Sequence, residues 1–146
     1  MGDNCVTLGS DSFAHGNQTT TFGMASTAGG FNTISQGDYS DAGSHSTKAI
    51  GKASVSRGYM TEAIGDYSFT AGANTIANGE NQTVVGQFNN NKSDTLFEVG
   101  NGRGETSRSN AFEVGTKSTG EAFIRIGNVE LTDTDLIKLK ALIDNM

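Results

Sequence analysis

The residues of this chain that could do chemistry are two histidines, one cysteine, a scatter of aspartates and many serines. A zinc site needs three or four Cys, His or carboxylate ligands converging at set spacings. His15 and His45 stand apart with no H-x-x-x-H pattern, and the single Cys5 has no partner for a C-x-x-C pair or an internal disulfide. Asp11, Asp38, Asp41 and Asp66 lie near glycines, but without the G-G-x-G-x-D arrangement of calcium-binding repeats. Turn capping explains them better. A nucleophilic serine needs a strand–turn–helix setting or an adjacent base, and no motif here nominates one. Paired carboxylates for glycan hydrolysis need a cleft to hold the sugar. The reading is therefore no catalytic residue, no metal and no cofactor. What remains is recognition. Arg103, within Gly102-Arg103-Gly104, and Arg108 are candidate contacts for phosphate or glycan, with solvated turn residues as the plainer reading. Tyr39, Tyr59 and Tyr67 flank glycines and suit carbohydrate or protein contact, with packing between neighbouring coils as the plainer reading.

The element that must position these residues is a repeat. Glycine recurs every seventh residue from Gly9 to Gly86, and of the 12 places in that series only Ser44 is not glycine. Two residues before each mark stands a small residue, as in Thr7, Ala14, Thr21 and Ala28. Four before stands a small hydroxyl residue, as in Ser12, Thr19, Ser26 and Thr33, with Cys5 filling one such place. These two positions share a face at period two, which is a strand signal. A coiled coil also repeats every seven residues, but it needs large apolar side chains at two of them. A helix with glycine at every seventh place would lose about 1 kcal/mol per glycine relative to alanine. Each heptad is therefore read as a short strand plus a turn, with glycine taking a positive φ or allowing close backbone approach. Two heptads make one 14-residue coil of a β-solenoid, and six coils end near Gly86, where Thr83 and Val84 break the pattern.

Only small side chains point inward, so the interior buries little apolar area. At about 25 cal/mol per Å² such a core stabilises weakly. The outward positions of alternate heptads supply a second apolar surface: Val6, Leu8, Phe22, Ile34, Ile50, Ile64 and Ile76. The other heptads offer Phe13, Val55 and Phe69 mixed with His15, Asp41, Arg57 and bare Gly29 and Gly43. Arg57 and Glu62 are taken as outward residues off the apolar stripe. A continuous stripe on a surface marks an interface. Several rolls are expected to pack these faces together, most simply about a three-fold axis.

The units Thr47-Lys48-Ala49-Ile50-Gly51, Thr61-Glu62-Ala63-Ile64-Gly65 and Gly65-Asp66-Tyr67-Ser68-Phe69-Thr70-Ala71-Gly72 resemble the head repeats of YadA-like trimeric autotransporter adhesins. The resemblance covers about residues 4–86. It implies a left-handed parallel β-roll and a homotrimer with the apolar strand facing the axis. It does not carry a ligand across: collagen binding, known for some relatives, is not implied by these residues. The segments Val85-Gly86-Gln87-Phe88-Asn89, Asp94 to Gly102 and Arg108 to Val114 are similar to a module of phage tail fibres and tailspikes. Some relatives of that module continue into a self-cleaving chaperone, for which this tail offers no evident seat.

Glycine makes up 20 of 146 residues and proline is absent, which suits strands that are all ladder members. The formal net charge is −6, with no basic stripe, so nucleic-acid binding is not expected. No signal peptide and no run of 18 apolar residues is visible, so no membrane span is expected. The organisation read from the chain is an all-β roll over residues 1–88, a small β meander over 89–130 and a helix over 131–146. The meander strands are placed at Leu96–Val99, Asn110–Val114 and Ala122–Ile126, with Phe97, Val99, Phe112, Val114, Phe123 and Ile126 as its core. The helix is capped by Thr132 or Thr134 and turns the apolar face of Leu136, Leu139, Leu142 and Ile143, flanked by Ile137, toward a small helical bundle at the end of the trimer. The expected function is a non-enzymatic trimeric fibre component of a phage tail or tail-like particle, placed on the virion tail and attaching to a glycan or protein receptor on the host surface. The alternatives are a bacterial cell-surface adhesin head and a tailspike-type glycan hydrolase or self-cleaving module.

Overall fold

The structure, a computed structural model, describes residues 2–146. It is a β-solenoid of about seven turns with a small antiparallel extension and one C-terminal helix. Elements are numbered in chain order. Two-residue strands β1 (Val6–Thr7), β3 (Thr20–Thr21), β5 (Ile34–Ser35), β7 (Lys48–Ala49), β9 (Glu62–Ala63) and β11 (Ile76–Ala77) form one parallel six-stranded sheet. Five-residue strands β2 (Phe13–Asn17), β4 (Thr27–Phe31), β6 (Asp41–His45), β8 (Val55–Tyr59), β10 (Phe69–Ala73) and β12 (Thr83–Gln87) form the parallel part of a ten-stranded sheet. Every pairing is offset by 14 residues, as in Val6 opposite Thr20 and Phe13 opposite Thr27. The coil length read from the repeat is therefore the coil length of the fold.

The two sheets face each other across a layer of small side chains. Ala14, Ala28, Ala42, Ala49, Ala63 and Ala77 are buried, together with the Ser and Thr of the hydroxyl column from Thr19 to Thr75. Hydroxyls meet across the layer: Ser12 with Thr21 at 2.9 Å, Ser35 with Ser40 at 2.7 Å, and Ser56 with Thr61 at 2.8 Å. Cys5 takes its Ser/Thr place as expected. Its sulfur accepts from the Thr19 hydroxyl at 3.1 Å, a bond that holds the thiol pKa below its ordinary value.

Both roles foreseen for the glycines occur, in alternate heptads. At Gly37 a Cβ would lie 2.0 Å from the Gly51 carbonyl oxygen of the next coil. At Gly30 φ is +110°, a region that suits residues lacking a Cβ. Its equivalent one coil on, Ser44, takes φ +94° in spite of its side chain. The corner itself is turned two residues after each glycine. Every seventh residue from Asn4 to Asn81 sits at φ between +51° and +60°, and none is glycine. That conformation aims the corner N–H back at the preceding coil: Asn32 donates to the Asn17 carbonyl at 2.9 Å and Tyr39 to that of Met24 at 2.8 Å.

The ladder does not stop at Gly86. β13 (Thr95–Asn101) pairs parallel with β12 at the same 14-residue offset, with Gly86 opposite Gly100. The strand read as the first of a separate meander is thus also the last rung of the long sheet. β14 (Asn110–Thr116), β15 (Ala122–Ile126) and β16 (Val129–Thr132) follow antiparallel, with a register shift beside Ala111. β16 is an additional strand that the sequence reading missed.

Continuity of register inverts the expected core of this extension. The inward column runs Thr70, Val84, Glu98, Glu113, Arg125, Glu130. Glu98 and Glu113 are buried, whereas Phe97, Val99, Phe112 and Val114 fall on the outer side and are only half-buried. Phe123 is buried as read, but Ile126 is 62% exposed and is not a core residue. A strand that joins an existing ladder must keep that ladder's alternation, whichever of its faces is greasier.

The helix α1 (Asp133–Asp144) starts where expected. The Thr132 hydroxyl accepts from the Asp135 N–H at 3.2 Å while the Asp135 carboxylate accepts from the Thr132 N–H at 3.1 Å, a reciprocal cap. The Thr132 hydroxyl, donating to the Asp135 carboxylate at 2.8 Å, and then the Thr132 N–H hold the Asp135 carboxyl below the ordinary Asp range. No residue of α1 is buried. Among the described residues, no helix is long and apolar enough to cross a membrane.

Candidate functional site

Outward positions of the six-stranded sheet form two columns. One runs Val6, Thr20, Ile34, Lys48, Glu62, Ile76 by strand register. The other runs Leu8, Phe22, Gln36, Ile50, Ile64, Asn78, tied by bonds such as Ile50 N–H to the Ala63 carbonyl at 2.8 Å. All seven residues assigned to the apolar stripe therefore share this face. Leu8 is 64% exposed, Val6, Phe22 and Ile64 are exposed, and Ile34, Ile50 and Ile76 are half-buried. The stripe is interrupted by a Lys48–Glu62 ion pair at 2.7 Å. This corrects the placing of Glu62, which stands on the stripe because it occupies the register position of Ile34 and Ile76. A groove of about 390 Å³ runs along the Ile34–Lys48–Glu62–Ile76 column beside Arg108.

The ten-stranded sheet looks the opposite way. Phe31, His45 and Tyr59 stack coil on coil, with centroids 5.1 and 5.0 Å apart. His15 stacks on Phe13 at 5.2 Å, so the two histidines do not meet. The His15 ring lies over Gly29 and the Arg57 guanidinium over Gly43, and a notch of about 240 Å³ lies between His15 and the Arg57–Asp41 ion pair. Asp38 and Asp66 act as the caps foreseen: their carboxylates accept from the Met24 and Lys52 N–H groups one coil earlier, both at 2.8 Å.

The five candidate recognition residues do not converge. Tyr39 and Tyr67 occupy corners two coils apart and are half-exposed, while Tyr59 belongs to the ring stack on the long sheet. Arg103 is exposed in its turn. Arg108 is turned inward. Its guanidinium donates to the carbonyls of Asn74 at 2.9 Å and Asn89 at 3.2 Å, pairs with Glu105 and lies 5.7 Å from the Phe88 ring centre. It clasps the end of the roll.

A buried polar plug beside that clasp was missed. The Asn89 side chain accepts from the Ile76 N–H at 2.8 Å and donates to the Ile76 carbonyl at 2.9 Å, so its amide stands in for the next strand of the six-stranded sheet. Glu98 accepts from Thr95 at 2.6 Å, Asn89 at 2.5 Å and Gln82 at 3.3 Å. Glu113 is held by Lys92 at 3.0 Å, Asn110 at 2.8 Å and Arg125. Burial pushes the Glu113 carboxyl up, but the bonds from Lys92 and Asn110 and the charges of Lys92 and Arg125 together outweigh it and set it below the ordinary Glu range. The available signal is phase: Gln82 and Asn89 stand where the repeat carries Ser or Thr.

Among the described residues, no group of three or more His, Cys, Asp or Glu is arranged to hold a metal ion. What the surface does offer is one long apolar face and one mixed polar and aromatic face, back to back. No protein family, curated protein or solved structure matches this chain.

Proposed function

We propose that this chain is a rod-forming component of a phage tail fibre or tail-like particle. It assembles as a homotrimer of left-handed rolls with their six-stranded faces turned to the axis, and serves structure and host-surface attachment without catalysis. The observation that carries this reading is the contrast between the two layers of the roll. Its interior is Ala, Ser and Thr, while Leu8, Phe22, Ile50 and Ile64 stand outside. A core of that kind gains little from burial, and covering the stripe at about 25 cal/mol per Å² supplies the missing stabilisation. The resemblance of residues 84–126 to the linking module of tail fibres supports the fibre setting over a bacterial adhesin head. The continuous sheet from β12 to β14 supports it as well, since it gives roll and module one stiff backbone. With the stripe on the axis, the face bearing the Phe31–His45–Tyr59 stack and the Arg57–Asp41 pair is left for a glycan or protein receptor.

Light scattering on the intact chain tests the reading, with an expected mass three times 15.2 kDa. The double substitution Ile50→Asp and Ile64→Asp should give monomers or unfolded chain. A stable, well-folded wild-type monomer would end the proposal.

A further inference from the structure

A repeat shows, by comparison with itself, where a residue is set by something other than folding. On the outer side of the long sheet such departures gather in two neighbouring coils. One outward column runs Phe13, Thr27, Asp41, Val55, Phe69, and the next runs His15, Gly29, Gly43, Arg57, Ala71. Thr27 and Asp41 thus stand where the flanking coils carry Phe13 and Val55. Gly29 and Gly43 stand bare where those coils carry His15 and Arg57. The third departure is Ser44, which fills a glycine place at φ +94°. Backbone held in that region costs free energy, and such residues cluster at ligand sites. Thr27, Gly29, Asp41 and Ser44 all line the notch of about 240 Å³ between His15 and Arg57.

We propose that this notch binds one sugar ring of a neutral glycan. This rests on the reading above of the long sheet as the receptor-facing side, and it narrows the receptor to a carbohydrate. The lining suits hydroxyl groups. The Thr27 and Ser44 hydroxyls donate and accept, Arg57 only donates, and the Asp41 carboxylate only accepts. An acceptor beside a donor reads two neighbouring hydroxyls of one ring. Asp41 gives one oxygen to Arg57, and its other, Oδ1, is the one carboxylate oxygen among the described residues that is buried without a partner. A sugar hydroxyl donating to Oδ1 satisfies it. The half-exposed guanidinium can give way to that hydroxyl, because it lies over bare Gly43. An anion fits poorly: it brings no proton for Asp41, and the charges of Arg57 and Asp41 offset each other. A protein partner would anchor an aromatic or aliphatic side chain in a dry pocket, which hydroxyls, an imidazole and an ion pair do not make. The volume lies below the roughly 300–1,000 Å³ of sites for drug-sized ligands and suits a single ring. Phe13 and Phe31, both exposed, flank the notch and offer apolar edges to the C–H face of that ring.

The intact, isotope-labelled chain is titrated with the methyl glycosides of glucose, galactose, mannose and N-acetylglucosamine, and separately with sodium phosphate, and its amides are followed by NMR. At least one glycoside is expected to shift the Gly29, Gly30 and Ser44 amides saturably. The amides of Gly72 and Gly86, which hold the Gly30 place in coils without a notch, should stay where they are. Phosphate should shift none of them. Ser44→Gly should weaken the binding about two- to tenfold, the worth of one hydroxyl's hydrogen bond, while raising the melting temperature. A merely structural Ser44 would not move the two in opposite directions. Asp41→Ala should weaken it about tenfold or more, because the lost acceptor is charged. Phosphate shifting the same amides, or an affinity unchanged in both variants, would overturn the inference. Notch amides that stay still with every glycoside, in a chain of trimeric mass, would overturn it and leave this face to a protein receptor. A monomeric mass would end the trimer without touching the shifts, so the two readings fail separately.

Discussion

Replacing Asn89 by alanine should be the most damaging single change that touches neither the apolar stripe nor a glycine. Asn89 is fully buried, and its amide satisfies three groups: the Ile76 N–H, the Ile76 carbonyl and one oxygen of buried Glu98. Alanine leaves all three without that partner. Ile76 is half-buried, so water partly replaces the two backbone bonds, and each loss falls near the low end of the 1–3 kcal/mol range for orphaned groups. The Glu98 oxygen is walled in and loses more. The expected cost is about 3–4 kcal/mol, against total stabilities of about 5–15 kcal/mol for ordinary domains. Urea unfolding at fixed chain concentration measures it, with Asn128→Ala, an exposed asparagine, as the control. Hydrogen exchange at the Ile76 amide locates it. Asn89→Asp keeps the acceptor for the Ile76 N–H, loses both donated bonds and sets a second carboxylate against Glu98. It should cost at least as much at neutral pH and recover on acidification. A loss below about 1 kcal/mol with the Ile76 amide still protected would refute the idea that a side chain closes this sheet.

Other predictions concern strain, pH and the axis face. Ser44→Gly should stabilise the roll by about 0.5–1 kcal/mol, read as a raised melting temperature, because it removes a side chain from φ +94°. The carboxyls of Glu113, Glu121 and Glu130 all lie below the ordinary Glu range. For Glu113 the partners are those given above. Glu121 is held down first by hydrogen bonds from Thr134 and Thr132, and Glu130 first by those from Lys117 and Arg125. Groups with depressed folded pKa values stabilise above their unfolded pKa and lose that contribution as pH falls through the folded value. Stability of the C-terminal sheet should therefore be flat near neutrality and fall in acid below the ordinary Glu range, seen as exchange of β14 and β15 amides before those of the roll. Glu62→Ala should weaken the trimer by leaving Lys48 unpaired on the axis face, whereas Arg57→Ala should leave the trimeric mass unchanged; the reverse ranking would place the axis on the other sheet.

The roll was legible in the sequence because its constraints are local and repeated. The glycine series set the coil, the Ser/Thr and Ala columns set the inward face, and the strand pairing keeps both in register from Val6 to Gln87. The end of the roll was not legible for the same reason. Glu98 and Glu113 read as surface residues on composition, and only the inherited register turns them inward. Glu62 was misplaced because charge suggested one face while its phase dictated the other. Arg108 shows the limit at single residues: a guanidinium between a turn and a strand reads as available, and three acceptors from Asn74, Asn89 and Asn91 decide otherwise.

The left-handed corners have a consequence for how such a surface can change. Their role is carried by backbone shape and one N–H, so the side chain there is nearly free: Asp11, Gln18, Ala25, Tyr39, Met60 and Tyr67 all fill equivalent places. A lineage could therefore swap the chemical character of the rod's edges, coil by coil, without reopening the question of whether the rod folds.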